Sequence, residues 1–176
     1  MSADPLDGSV TVAGCSAPAE RSFLVRVAEG PADRKACFAV REDVFVIEQR
    51  VPVEIEYDVF DEDGADTVHL LALAGDGTPL GAGRLLHGPA AADRTGGDPR
   101  VGSLGRLAVV PAARGLGVGV ALVRAIEDAA RERGLTVMDL HAQTHARGFY
   151  ERLGYTAYGP EYDEAGIGHQ GMRREL

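Results

Sequence analysis

The 176-residue chain has no tryptophan, a single lysine (Lys35) and only two cysteines. Cys15 in a Gly/Ala/Ser-rich leader and Cys37 in a helical pattern make neither a disulfide framework nor a metal-ligand pair, so no metal is expected. No apolar stretch approaches membrane-spanning length, and the N-terminus lacks a basic start followed by an apolar segment, so a cytoplasmic protein with no membrane partner is expected. Positive charge is scarce: 18 Lys and Arg face 27 Asp and Glu, a formal net charge of −9. That balance argues against sequence-independent nucleic-acid binding, which needs clustered cations. An anionic ligand would need positive potential concentrated locally.

Hydrophobic residues at 45% and charged residues at 26% are globular composition, and the length suits one domain. Residues 1–20 read as a loosely held leader without apolar period, and 21–176 as the domain. A strand over Phe23–Val27 precedes a helix that Pro31 starts and whose Cys37, Val40, Val44 and Ile47 share one face. Thr67–Leu73 and Leu80–Leu86 read as strands joined by an Asp76-Gly77 hairpin, followed by a polar loop from His87 to Pro99. A strand over Val101–Val110 comes next. Val118, Leu122, Ile126, Ala129 and Ala130 mark a long helix that Gly134 ends. A strand over Leu135–Ala142, a short helix from Thr144 to Leu153, and short strands Tyr155–Tyr158 and Gly168–Arg173 complete an α/β (α+β) order of elements.

Two segments carry chemistry. From Glu54 to Asp66 lie seven carboxylates and no basic residue. Such a run is either a solvated loop or one whose interleaved Ile55, Tyr57, Val59 and Phe60 pack inward while carboxylates face a cationic substrate. Between the Val101–Val110 strand and the long helix stands Arg114-Gly115-Leu116-Gly117-Val118-Gly119. Glycines let backbone approach a ligand, and the first helical turn presents unpaired N–H groups and a positive dipole end to an anion. Antiparallel strands ahead of this turn exclude the doubly wound dinucleotide fold, and no Lys-Ser or Lys-Thr follows it as a P-loop requires.

What remains resembles the GCN5-related N-acetyltransferase (GNAT) family over most of the chain, from about Ser22 onward. Arg114, Gly117 and Gly119 fill the family's pyrophosphate signature, and Ala146-Arg147-Gly148-Phe149-Tyr150-Glu151-Arg152-Leu153-Gly154-Tyr155 its second signature. Val44-Phe45-Val46-Ile47-Glu48-Gln49 and Gly166-Ile167-Gly168-His169-Gln170-Gly171-Met172 resemble the ElaA-like group. The resemblance implies a mixed, mostly antiparallel sheet splayed at its middle and flanked by helices, with acetyl-CoA held in the V as co-substrate and acetyl transfer to a small-molecule or peptide amine. It implies cofactor contacts from Leu107, Ala108 and Val109, from Arg114 through Gly115, Leu116, Gly117 and Val118 to Gly119, and from Gln143, Phe149 and Tyr150.

The resemblance also places Tyr150 as the acid that protonates the leaving thiolate. The base stays open among His141, His69, Glu56 and water, since Val101–Val110 holds no carboxylate. Glu48 and Gln49 border the acceptor cleft in the family. The acidic run makes a cationic acceptor such as a polyamine, amino sugar or basic peptide the expectation, and a homodimer is compatible with all of these readings. A member that binds CoA thioesters without turnover, as a sensor or assembly module, is the alternative.

Overall fold

Proline in a first turn, alternating apolar strands and positive-φ glycines at the turns set most element boundaries. The computed structural model describes residues 22–176; the expected leader and Cys15 lie outside the described residues. Strand β1 (Phe23–Val27) leads into helix α1 (Gly30–Arg41), whose first turn is tied down by Asp33, which accepts the Glu29 N–H at 2.8 Å and pairs with Arg26. From Glu42 to Glu48 the helix widens into π geometry. The wider turn breaks the 3.6-residue period, so Val44 stays buried while Ile47, expected on the same face, is 67% exposed.

A short helix α2 (Val53–Glu56) and one 3-10 turn (Val59–Asp61) cross to β2 (Val68–Ala74), which forms a hairpin with β3 (Pro79–Leu86). The loop expected from His87 contains two helical turns, the second being α3 (Ala92–Thr95). Then follow β4 (Val101–Val109), α4 (Val118–Glu132), β5 (Val137–Gln143), α5 (Arg147–Arg152), β6 (Thr156–Glu164) and β7 (Ile167–Glu175). The last two strands run longer than the apolar pattern indicates. Gly159 at φ +67° and Pro160 interrupt that pattern, but the register only shifts there, and the buried Gln170 amide donates to the carbonyls of Tyr158 (2.6 Å) and Gly159 (3.0 Å).

One seven-stranded sheet results, in the order β1-β2-β3-β4-β5-β7-β6, and only the β4–β5 pair is parallel. Helix α4 covers one face, with Leu122 and Ile126 against Leu85, Leu104, Met138 and Leu140. It sits low because β3 offers Gly81 and Gly83, where a Cβ would lie 2.8 Å from Leu122 Cδ1 and 2.7 Å from Ile126 Cδ1. Helix α1 covers the other face through Cys37 and Val40 on Leu71, Ala82 and Ala108.

The expected splay is present. β4 and β5 pair only from Val101↔Val137 to Leu104↔Leu140 and then part, β4 staying with β3 and β5 with β7. At the parting point β4 carries one extra residue opposite Gly83, and Arg106 adopts φ +53°. This bulge bends β4 away from β5.

Candidate active site

The V between the parted strands is a cavity of about 510 Å³. One wall is Gly105 to Val109 of β4, the other Leu140 to Gln143 of β5, and Phe149 and Tyr150 of α5 close one side. The Val110 N–H bonds to Leu80 O at 3.0 Å on β3, so by strand alternation the peptide groups of Val109 point the other way, into the V. Arg114 Nε confirms that direction by donating to Val109 O at 3.0 Å. The Val109 N–H therefore faces a gap where a neighbouring strand would otherwise stand.

Beyond the end of β4, Gly115 and Gly117 adopt φ +77° and +84°, and Gly117 caps α4 with no side-chain hydrogen bond. The first N–H groups of a 15-residue helix are thus left to an outside acceptor, and open space surrounds both glycines. Val118 turns into the core. Gly119 lies where a Cβ would come within 3.4 Å of the Phe149 ring. Of the hexapeptide only Arg114 lines the cavity. Its guanidinium is committed to Glu48 in a two-pronged pair (2.6 and 2.8 Å), so the positive potential at this turn comes chiefly from backbone. On the opposite wall the amides of Gln143 and Gln49 exchange hydrogen bonds at 2.7 and 3.0 Å. Adjacent residues at the end of the π segment thereby tie both walls of the V together. The arrangement fits a long ligand with an anion at one end and amides along its length: uncapped helical N–H groups for the first, an open strand edge for the second.

The acidic run departs from both readings offered above. Glu56, Asp58 and Asp61 turn inward while Ile55 and Val59 are exposed. Arg41, 1% exposed, donates to Glu56 Oε1 (2.6 Å) and to both oxygens of Asp61 (2.7 and 2.8 Å). Arg84 holds Asp58 and Asp61, and Arg106, turned by the bulge, reaches Glu56 and Asp58. The partners absent from the run come from α1, β3 and β4, so these carboxylates are neutralised, and the expectation that the run presents them to a cationic acceptor is corrected. Burial pushes the Asp61 carboxyl up, but Arg41 and Arg84 outweigh it and hold the group well below the usual carboxylate range. For Glu56, burial prevails over Arg41 and Arg106 and raises it.

Among the four catalytic candidates, Tyr150, His141 and Glu56 line the cavity and His69 does not. His69 is 5% exposed behind the acidic segment, 4.0 Å from Asp61 Oδ1, and burial lowers its imidazole to about 4. Burial raises the Tyr150 phenol above its ordinary value, so it stays protonated. His141 stands one residue past the last position at which β5 pairs with β4. Its Nδ1 lies 2.6 Å from the Tyr162 hydroxyl and its Nε2 3.5 Å from Asp139 Oδ1, a fully buried oxygen with no other partner. Asp139 Oδ2 is held by Tyr158 (2.5 Å) and Arg173 (2.8 Å), and the Gln170-filled bulge swings Tyr162 over His141. Asp139 and Tyr162 were not singled out from sequence. The Asp139-Leu140-His141 spacing places two side chains on one strand face and was a usable signal; Tyr162 lies where glycine and proline obscured the strand.

A family model described as an acetyltransferase (GNAT) domain matches residues 43–176. The chain belongs to the GNAT family. It is 34% identical to the uncharacterized N-acetyltransferase YjcF of Bacillus subtilis (strain 168) over 150 residues, 85% of this chain and 97% of that one. Among solved structures it is similar to an acyl-CoA N-acyltransferase from Pseudomonas aeruginosa (35% identity, TM-score 0.70, 87% of this chain and 98% of that one). It is also similar to Escherichia coli ElaA (27% identity, TM-score 0.71, 88% and 99%). As a GNAT protein the chain is an acyltransferase, and the family uses acetyl-CoA or acyl-CoA. Among the described residues there is no group of side chains suited to a metal and no helix long and apolar enough to cross a membrane.

Proposed function

We propose that the protein is a cytoplasmic N-acetyltransferase that moves the acetyl group of acetyl-CoA directly to a primary amine. The observation that carries this reading is the open β4 edge, with the Val109 N–H facing a gap between the uncapped start of α4 and the buried Tyr150. The backbone N–H groups from Gly115 to Gly119 would hold the pyrophosphate. The β4 edge from Leu107 to Val109, Gln143 and the Phe149 ring would hold the amide-bearing arm. The thioester supplies an acyl group already activated toward nucleophiles.

A β4 N–H stabilises the oxyanion that forms when the amine nitrogen attacks. As the C–N bond forms and the C–S bond breaks, Tyr150 gives its phenolic proton to the departing sulfur. His141 takes the proton from the amine at Nδ1, the Tyr162 hydroxyl turning aside, while Asp139 beside Nε2 steadies the imidazolium. Glu56 is a weaker candidate because two guanidiniums occupy it, and His69 has no access. Cys37 is excluded as an acyl carrier by position, and burial pushes its thiol up to about 12.

The test is thiol release from acetyl-CoA across a broad amine panel, with calorimetric binding of acetyl-CoA. Tyr150→Phe is expected to lower turnover by about 10²–10⁴-fold with unchanged affinity for acetyl-CoA; unchanged turnover removes its acid role. His141→Gln is expected to lower kcat by about 10²–10⁴-fold with unchanged affinity for acetyl-CoA. Tight acetyl-CoA binding with no thiol release on any amine would leave a binding module instead.

A further inference from the structure

Once the acidic segment is folded inward, the charges left in the cleft are few. Of the four arginines that line it, Arg84 is held by Asp58 and Asp61, Arg106 by Glu56 and Asp58, and Arg114 by Glu48. Arg94, on α3, has no carboxylate within 4.0 Å among the described residues. Glu164 and His169 of the β6–β7 hairpin line the same space, and the Tyr162 ring stacks on His169 at 5.7 Å and 22°.

Position separates Arg94 from the donor site. Helix α3 leads into the start of β4 while the glycine turn follows its end, and β4 is nine residues long, about 25–30 Å at 3.3 Å per residue. A ligand whose pyrophosphate lies at the glycine turn leaves Arg94 at the other end of the strand. His141 stands between these ends, where β4 and β5 part. Arg94 is near enough to Tyr162 to pull its phenol down, although burial prevails and raises it. A guanidinium with no carboxylate partner and the imidazoles of His141 and His169 thus line the acceptor side of the cleft, with Tyr162 packed against both rings.

We propose that the acceptor is an amino acid or similar amino-carboxylate, its carboxylate gripped by Arg94 while its amine faces His141. This rests on the acetyl-transfer reading and adds the substrate class. A single guanidinium in a space that Glu164 also lines suits one negative charge, and a phosphate dianion would need more positive charge than this end of the cleft carries. A carboxylate offers the planar pair of oxygens that a guanidinium takes in parallel hydrogen bonds.

The experiment compares β-alanine, 4-aminobutyrate and L-lysine with their own carboxamides at saturating acetyl-CoA, in the wild type and Arg94→Gln. The acids are expected to exceed their amides at least tenfold in kcat/KM. Arg94→Gln should erase that preference by raising KM for the acids about tenfold or more, leaving kcat, the amides and acetyl-CoA affinity unchanged. Arg94→Glu should reverse it. Amides equal to or better than acids, phosphoethanolamine better than both, or an Arg94→Gln effect shared by acids and amides would overturn the proposal. If no acceptor is turned over while acetyl-CoA binds, the transfer reading falls separately. The carboxylate claim is then decided calorimetrically: acids binding and amides not, with the difference lost in Arg94→Gln, sustains it, and equal binding overturns it.

Discussion

His69 should make this fold labile to mild acid, by an amount that follows from its surroundings. The ring is buried against the edge of Phe38, its Nδ1 has no partner among the described residues, and Arg41, Arg84 and Arg34 oppose a charge on it; only Asp61 favours one. Burial leads these effects and lowers the imidazole from the ordinary 6.5 to about 4. Between those values the unfolded chain binds a proton that the folded one refuses, so the contribution is fully present above pH 6.5 and is lost as pH falls toward 4. By pH 4.5 the loss amounts to about 2.5 kcal/mol at 1.4 kcal/mol per pH unit. Urea unfolding at pH 7 and pH 4.5 reads it as a midpoint shift of about 1 M for a slope near 2 kcal/mol/M. His69→Gln should lose less than the wild type over the same interval by about that 2.5 kcal/mol, whatever its stability at pH 7. Equal pH dependence in the two proteins would refute the assignment.

Asp61→Asn leaves Arg41 and Arg84 short of a shared buried counter-charge and should cost about 3–5 kcal/mol in denaturant unfolding at pH 7. A loss below 1 kcal/mol would mean that the cluster is held by the other carboxylates. Gly117→Ala places a Cβ on a left-handed residue and should cost about 1–2 kcal/mol while weakening acetyl-CoA binding in calorimetry. Gly119→Ala, whose Cβ would meet the Phe149 ring tip at 3.4 Å and Val109 Cγ2 at 3.8 Å, should be nearly neutral in thermal unfolding.

Much of the fold was legible because periodicity and turn chemistry agree along this chain. Pro31, the Asp76-Gly77 hairpin and the glycines bracketing α4 mark boundaries that the structure reproduces within a few residues. The glycine turn, the Tyr150 helix and the strand facing them were legible for the same reason, being local motifs in a fixed order. Non-local compensation was not. The carboxylates from Glu56 to Asp61 look unpaired in sequence because Arg41, Arg84 and Arg106 stand 15 to 50 positions away, and Arg106 reaches them only through a bulge that no local pattern marks. The Asp139–His141–Tyr162 grouping was hidden because a Gly-Pro pair interrupts its third strand, and the π turn because nothing in Glu42–Glu48 departs from an ordinary helical repeat.

Unpaired strand edges usually lie at a sheet's perimeter, where they invite other chains to add on. Here the gap is at the middle, between strands that remain hydrogen-bonded on their outer sides, and the Glu48–Arg114 and Gln49–Gln143 clasps cross its mouth. Enclosed between those walls, this edge is not presented to other chains as a perimeter strand is.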